Sequence, residues 1–269
     1  MSEKITFPPG VLGEDPVRLE VLACGEGWFA LDKPAGLLLA PDALHPPETP
    51  SIVEAIQAAA LAGKPQLTAL GIAGCGRVHA LDTEISGVAI LATSESSAAT
   101  LRNQLGSGAW EFVYEIVCQG ADGPAERRCD RPIVRHADPN RFRMVLSARE
   151  GKRCQSHFLR SEAWGGYSLW EVRTADNRPH QVRAHAAECG LRIVGEAVYG
   201  RVRNVYLSSL KRGYRPGREQ ERPLHPGLAA HLRFIRCGQP GSGGFSVESR
   251  RPKTLSTLLA RLQDAADAA

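Results

Sequence analysis

Two carboxylates lie close together at the start of an apolar segment in GRVHALDTEISGVAILATS, residues 76–94. Asp82 comes first and Glu84 follows two residues later, while the β-branched and small residues at 88–92 are typical of a buried strand. Asp82 fits two roles: a turn residue that bonds its own backbone, or a reactive carboxylate at the mouth of a core. A glycosidase-like acid pair is a third possibility, but the direction of Glu84 in a turn is undefined, and we interpret it as a solvated turn residue.

The segment NRPHQVRAHAAECG predicts a helix whose first turns are rich in polar and cationic side chains, namely Arg178, His180, Gln181, Arg183 and His185. The N-terminal end of a helix is positive and disfavours cations, so a nearby negative group is expected to compensate. The candidates are Asp82 and a phosphate backbone. A solvated surface helix is an equally good interpretation of this pattern alone.

Other chemistries have little support in the sequence. The eight histidines form no H-E-x-x-H motif, and His180 and His185 are five residues apart, one too many for a shared helix face. No phosphate-binding loop and no G-x-S-x-G motif occur. The seven cysteines are scattered, without a C-x-x-C pair, which indicates reduced thiols in a cytosolic protein and no zinc site.

The positive charge of the chain is concentrated in two arginine-rich segments. Residues 127–143 carry a net charge of +4 and residues 201–222 a net charge of +5, whereas the other 230 residues are net negative. Arginine favours bidentate contacts with phosphate, so the two segments indicate a polyanionic partner. No 18-residue apolar run and no signal peptide are present, and we therefore predict a cytoplasmic protein that does not enter a membrane.

The predicted elements favour an α+β fold: a mixed, largely antiparallel central sheet with flanking helices. Strands are predicted at 17–23, 28–31, 111–119, 142–146, 154–159, 167–173 and 230–235, and helices at 51–63, 95–105, 177–190 and from 254 onward. Asn177 is the predicted N-cap of the third helix. We predict three parts: a flexible lead-in at 1–16, a catalytic domain at 17–250, and a C-terminal helix at 251–269 that packs on it. A monomer is expected.

Five segments, in order over about residues 17–250, resemble the motifs of the RluA-like pseudouridine synthases, which isomerise uridine in ribosomal or transfer RNA. The first segment, LEVLACGEGWFALDKPAGLLLAP, resembles the opening strands and the NKPAG loop of the family, and the second, VHALDTEISGVAILA, resembles its HRLDxxTSG motif. The third, EFVYEIVCQG, resembles the strand that carries the active-site tyrosine. The fourth, NRPHQVRAHAAECGLRIVGEAVYG, resembles GRTHQIRVH followed by IVGDxxYG, and the fifth, LHPGLAAHLRF, resembles LHAxxLxF. The resemblance implies the pseudouridine synthase catalytic fold.

The resemblance also implies roles for individual residues. Asp82 matches the essential aspartate, Tyr114 the tyrosine that packs on the target base, and Arg183 the arginine that pairs with the aspartate. The substrate pocket is predicted to include Val182, His79 and Leu81. RNA contacts are predicted for Lys33, Arg77, Arg178, His180, Gln181, Arg212 and Arg215. Asp82 would act as nucleophile at the sugar or as base at its 2′ carbon, and the sequence leaves both open. No cofactor is predicted, because the isomerisation needs no redox step and no group donor.

The chain departs from the family pattern at three places. Ala80 replaces the arginine of HRLD, Ile85 replaces the following threonine, and Asn177 and Pro179 replace the glycine and threonine of GRTH. Arg77 is a candidate to compensate for Ala80. Two functions therefore follow: an active uridine isomerase, which we favour, or a related RNA-binding protein with weak or no catalysis. A nucleic-acid N-glycosidase is a more distant alternative, because nothing in the sequence supplies a partner that activates water.

Overall fold

The protein is described by a computed structural model that covers residues 3–138, 141–211, 214, 220–238 and 244–268. Two of the predicted RNA-contact residues, Arg212 and Arg215, lie outside the described residues. Among the described residues, no helix is long and apolar enough to cross a bilayer.

The strands and helices alternate irregularly along the chain. The strands are β1 Lys4–Phe7, β2 Val17–Gly25, β3 Trp28–Lys33, β4 Gly76–Arg77, β5 Ser86–Ala92, β6 Trp110–Gln119, β7 Glu126–Cys129, β8 Ile133–Arg135, β9 Met144–Leu146, β10 Ser156–Trp164, β11 Tyr167–Thr174, β12 Arg192–Ile193, β13 Ala230–Cys237 and β14 Phe245–Glu248. The helices are α1 Ile52–Leu61, α2 Pro65–Ala69, α3 Glu95–Asn103, α4 Gln181–Glu188, α5 Leu207–Leu210 and α6 Lys253–Asp267.

One large sheet organises the described part of the chain. Its strand order is β1-β2-β3-β5-β13-β6-β11-β10-β7, with β4, β12 and β14 paired to β5, β6 and β13. Within the described ranges β5 and β13 pair in parallel and the other strand pairs are antiparallel. Strands β8 and β9 form a separate hairpin. The predicted α+β class with a largely antiparallel sheet is confirmed.

The centre of the sheet fixes the start of β5, and therefore the turn that carries Asp82. All seven residues of β5 are buried. Gly87 has a φ of +126°, and a Cβ atom there would lie 2.1 Å from the carbonyl oxygen of Leu232 on β13. Only glycine permits this close approach. The turn before Ser86 is thus attached to a rigid part of the core.

Several local predictions differ from the structure. Residues 4–7 lie in the predicted flexible lead-in but form β1, because Ile5 and Phe7 are buried against the core and the strand pairs with β2. The helix predicted from Asn177 begins at Gln181, with His180 as its N-cap.

Helix α6 packs through four leucines, Leu255, Leu258, Leu259 and Leu262, on a cluster with Val117 and Trp164. The division of the chain at 17 and 250 stays a prediction.

Candidate active site

Asp82 lies in a tight turn directly before β5. The N–H of Ile85 donates to the carbonyl oxygen of Asp82 at 3.1 Å, which closes the turn. The N–H of His180 donates to Asp82 Oδ1 at 3.0 Å. His180 has a φ of 54°, a left-handed conformation that costs a non-glycine residue on the order of 1 kcal/mol. This contact between the Asp82 turn and the start of α4 orients one oxygen of a carboxylate whose side chain is only 8% exposed.

Arg183 is the cation of the site, and it is buried on α4 with 2% of its side chain exposed. Its Nη1 lies 3.5 Å from Asp82 Oδ2, so the predicted pairing of these two residues is present in the structure. Its Nε and Nη2 donate to the two carboxylate oxygens of Glu196 at 2.8 and 3.0 Å. Burial alone would lower the pKa of Arg183, but the hydrogen bonds to Glu196 and the charges of Asp82 and Glu84 raise it above its ordinary value.

Three carboxylates therefore surround one guanidinium group. The interpretation of Glu84 as a solvated turn residue is wrong, because its Oε2 lies 3.0 Å from Arg183 Nη1, although 41% of the side chain is exposed. Sequence reasoning missed Glu196, which is 3% exposed and accepts from the N–H groups of Val198 and Tyr199 at 2.7 and 3.2 Å. The available signal was its place in IVGEAVYG, the segment that resembles IVGDxxYG.

Tyr114 lies on β6, buried and within electrostatic range of Asp82. Its hydroxyl oxygen accepts from Asn177 Nδ2 at 2.8 Å. Burial and, secondarily, the charge of Asp82 raise the pKa of Tyr114 far above its ordinary value. The tyrosine is therefore a neutral phenol whose hydroxyl is held by a residue that departs from the family pattern.

The three residues predicted to form the pocket have different environments. Leu81 lines the cleft at Asp82, and Val182 is buried on α4. His79 is buried, and its pocket role stays a prediction: its Nδ1–H donates to the carbonyl of Ala80 at 2.9 Å, and its Nε2 accepts from the N–H of Ile90 at 3.0 Å. Burial lowers the pKa of His79 to about 4, so the ring is a neutral structural bridge.

Lys33 is also placed differently from its prediction as an RNA contact, because its side chain is fully buried. Its Nζ donates to the carbonyl oxygens of Pro34, Leu37 and Thr83 at 3.0, 2.8 and 3.2 Å. All three hydrogen-bond donors of the ammonium group are used, which leaves none for a phosphate. Lys33 joins the loop after β3 to the residue that follows Asp82.

The pH dependence of stability should report this environment of Lys33. Burial lowers its pKa from 10.5 to about 7, partly offset by the charges of Asp82 and Glu84. Between these two values the unfolded chain holds a proton that the folded chain lacks, so raising the pH favours the folded state. We expect the free energy of unfolding of wild type, relative to Lys33→Met, to increase from pH 7 to pH 10.5. Urea denaturation at several pH values measures this difference, and a constant difference would contradict the prediction.

The predicted RNA contacts near α4 divide into two groups. Gln181 is buried, and its Nε2 donates to Gln155, Ser156 and Thr174 at distances from 2.9 to 3.2 Å. His180 is buried with its Nδ1 3.0 Å from the hydroxyl of Tyr199. The polar atoms of both contact the protein in this structure, and His180 also lines the cleft at Asp82, so RNA contact by these two stays a prediction. Arg77 is exposed and Arg178 is partly exposed, so both stay candidates for RNA contact.

A narrow cleft lies directly at Asp82. Its lining includes Leu39, Leu44, His45, Arg77 and Ala80. The cleft has a cavity volume of about 20 Å³, room for about one water molecule. No group of three or more metal-ligating side chains converges anywhere in the described ranges. The site consists of a carboxylate, a buried arginine and a phenol beside a cleft that is closed in this structure.

Comparison with solved structures shows what kind of fold carries this site. The human protein RNA Pseudouridylate Synthase Domain Containing 4 superimposes with a TM-score of 0.67, covering 90% of this chain and 92% of that one at 20% identity. At that identity the likeness shows the fold alone, and the fold is that of a pseudouridine synthase domain.

Sequence comparison shows the family. Residues 27–188 match the model of the RNA pseudouridylate synthase family, and the chain belongs to that family. An uncharacterized RNA pseudouridine synthase of Chloroflexus aurantiacus is 32% identical over 238 residues, 87% of this chain and 66% of the relative. Ribosomal large subunit pseudouridine synthase D of Pseudomonas aeruginosa is 28% identical over 251 residues, 92% of this chain and 72% of the relative. The chain spans about two thirds of the length of such relatives. The RluA-like resemblance is confirmed.

Proposed function

We propose that this chain is an RNA pseudouridine synthase that isomerises specific uridines in ribosomal or transfer RNA, with Asp82 as the group that acts on the sugar. The observation that carries the proposal is the position of Asp82. It is a nearly buried carboxylate at the base of a cleft, with one oxygen held by the N–H of His180 and the other facing Arg183. A fixed carboxylate beside a buried cation is suited to attack or deprotonate a substrate.

The reaction breaks the N1–C1′ bond of uridine, turns the base, and joins C5 to C1′. Asp82 acts at the ribose, either as nucleophile at C1′ or as base at the 2′ carbon. After the new bond forms, C5 loses its proton and N1 gains one, so no atom is added or removed overall. Arg183 holds its guanidinium group 3.5 Å from Asp82 Oδ2 and so orients the carboxylate toward the ribose.

Tyr114 supports the second half of the reaction. Its neutral phenol can stack on the uracil and help to move the proton from C5. Its side chain lies within electrostatic range of Asp82. The target uridine must leave its stack to reach this depth.

An arginine-rich hairpin beside the site is a suitable RNA surface. Strands β8 and β9 are joined by a loop in which Phe142 is 46% exposed and Arg141 is also exposed. The hairpin adjoins the site because the N–H of Met144 donates to the hydroxyl of Tyr199, which also contacts His180. Arginine can bind phosphate while an exposed phenylalanine stacks on an unpaired base.

Arg141→Gln should therefore reduce the salt dependence of RNA binding. Losing one phosphate contact lowers the slope of log K against log salt by about 0.7–0.9. Filter binding of ribosomal RNA between low and moderate salt measures the slope. Arg261→Gln is the matched control, because Arg261 pairs with Asp264 three residues away as Arg141 pairs with Asp138. Equal slopes for the two variants would place the RNA path elsewhere. From the sequence, neutralising Arg212 and Arg215 is likewise expected to weaken RNA binding and to flatten its salt dependence.

A binding-only relative is the second candidate, and Ala80 is the observation that favours it. Ala80 lines the cleft where the family motif has an arginine, so that cation is missing from the reacting region. Arg77 lines the same cleft and can supply a positive charge there. The presence of Asp82, Tyr114 and Arg183 in one place supports the active enzyme.

Mapping of pseudouridine decides between the two functions. Total RNA from a strain lacking the gene, and from the same strain with the wild-type gene restored, is probed by chemical modification at every uridine. A site that appears only on restoration identifies activity and substrate together, whereas its absence from ribosomal and transfer RNA would leave the binding-only function. We further propose a cytoplasmic monomer that needs no cofactor.

A further inference from the structure

The segment from Ala40 to Pro50, which we name the flap, covers Asp82. Its flanks are fixed, because the carbonyls of Leu38 and Leu39 accept from the first N–H groups of α1 at 3.0 and 2.9 Å. Leu44, near the middle of the flap, is buried and lines the cleft at Asp82. A cleft of about 20 Å³ cannot hold a uracil ring, so the flap must move before a uridine can reach the carboxylate.

One hydrogen bond joins the flap to the remainder of the described chain. His45 Nε2 lies 3.0 Å from the hydroxyl oxygen of Thr83, the residue after Asp82. On its other side, His45 Nδ1 lies 2.8 Å from Asp42 Oδ1, which also accepts from the N–H of Leu44. Asp42 therefore fixes both the imidazole and the leucine that fills the cleft. The side chains of Asp42 and His45 are 21% and 24% exposed, so water can reach this bond.

The opposite side of Thr83 is held much more firmly. Its carbonyl oxygen accepts from the N–H of Gly36 at 2.7 Å and from the buried Nζ of Lys33 at 3.2 Å. A buried lysine side chain whose nitrogen contacts three carbonyl oxygens is costly to separate from them. Motion at Thr83 is thus expected at the His45 bond, whereas the Lys33 contacts stay in place as the fixed end.

We propose that His45 is a positioning residue for the uridine reaction: through Thr83 it latches the flap over Asp82, and a uridine enters when this hydrogen bond opens. The inference rests on the proposed function, because it takes a uridine as the ligand that displaces Leu44. If the flap is open in only a fraction of the molecules, the apparent affinity for RNA is reduced to that fraction of its intrinsic value. Removing the latch should therefore improve the apparent affinity, which a residue that only supports the fold would not do.

Two substitutions, one on each side of the hydrogen bond between His45 and Thr83, test this proposal in the full chain. Thr83→Val removes the hydroxyl at nearly constant shape, His45→Ala removes the imidazole, and Thr83→Ser keeps a hydroxyl as the matched control. Hydrogen exchange of the Leu44 amide, followed by mass spectrometry of a peptide spanning the flap, should be about tenfold faster in the first two, the change expected for one lost hydrogen bond. Thr83→Ser should exchange like wild type.

Kinetics on unmodified ribosomal and transfer RNA from a strain lacking the gene complete the test. We expect the KM of Thr83→Val and His45→Ala to fall by about the factor by which exchange rises, with a smaller change in kcat. Exchange equal to wild type, or a KM that is unchanged or higher, would overturn the latch. If wild type makes no pseudouridine at all, the proposed function fails, and the exchange comparison still decides whether His45 holds the flap.

Discussion

The substitution Asp82→Asn is expected to lower the rate of pseudouridine formation by at least about a thousandfold while leaving the fold intact. The amide oxygen that it introduces can still accept from the N–H of His180, as the Asp82 carboxylate does at 3.0 Å. The substitution therefore removes the negative charge and the nucleophilic or basic oxygen but keeps the local hydrogen bond. Single-turnover conversion of unmodified RNA, read as released pseudouridine by nucleoside mass spectrometry, measures the loss.

Asp176→Asn is the matched control for this experiment. Asp176 also accepts a backbone hydrogen bond, from the N–H of Gln155 at 3.1 Å, but it does not line the cleft. Its variant should retain activity close to wild type. RNA binding by the Asp82 variant should persist, because the arginine-rich hairpin is untouched. A rate for Asp82→Asn within about tenfold of wild type would falsify the assignment of the sugar chemistry to Asp82.

The central contact of the site could be predicted from the sequence, although only through the family resemblance. Asp82 and Arg183 are 101 positions apart, and no local periodicity relates a turn before β5 to a helix after β11. The cationic residues at the start of α4 require a negative partner, for which the sequence offers both Asp82 and a phosphate group. The structure shows that the carboxylate is Asp82, 3.5 Å from the guanidinium group.

Residue type alone does not show where burial directs a polar side chain toward the protein. Lys33 and Gln181 are polar side chains in motif segments, and RNA contact was a reasonable prediction for both. Each is instead satisfied by distant partners, Lys33 by the carbonyl of Thr83 and Gln181 by Gln155, Ser156 and Thr174. Such partners come from the tertiary arrangement of strands and loops, which hydrophobic patterning does not encode.

Glu196 and His45 were missed for a related reason. His45 lies in no motif, and the IVGEAVYG segment assigns no role to its carboxylate by itself, so both residues gain their roles from the partners that the fold brings to them. Glu196 follows Gly195, whose φ of +78° and close approach to Gly227 exclude a side chain. That turn places the Glu196 carboxylate on Arg183. His45 becomes significant only because the flap brings it to Thr83.

Methionine in place of Arg183 is expected to lower the free energy of unfolding by about 3–5 kcal/mol, in addition to abolishing activity. The substitution removes the cation that pairs with Glu196, which is 3% exposed, and with Asp82, which is 8% exposed. Both carboxylates would remain buried without their charge partner, and an uncompensated buried charge is more costly than the pair is stabilising. Urea denaturation monitored by circular dichroism measures the change.

Adding Glu196→Gln to Arg183→Met separates the cost of an orphaned charge from the loss of packing. If the charge dominates, the double variant should be more stable than Arg183→Met alone, because a neutral amide replaces the buried carboxylate that lost its partner. If the two changes simply add, the double variant would be less stable and the electrostatic explanation would be wrong. Arg173→Met is the control: that arginine is 52% exposed and pairs with Glu171 and Glu111, so less than about 1 kcal/mol is expected. Activity should be absent in both Arg183 variants, since a recovered fold does not restore the cation beside Asp82.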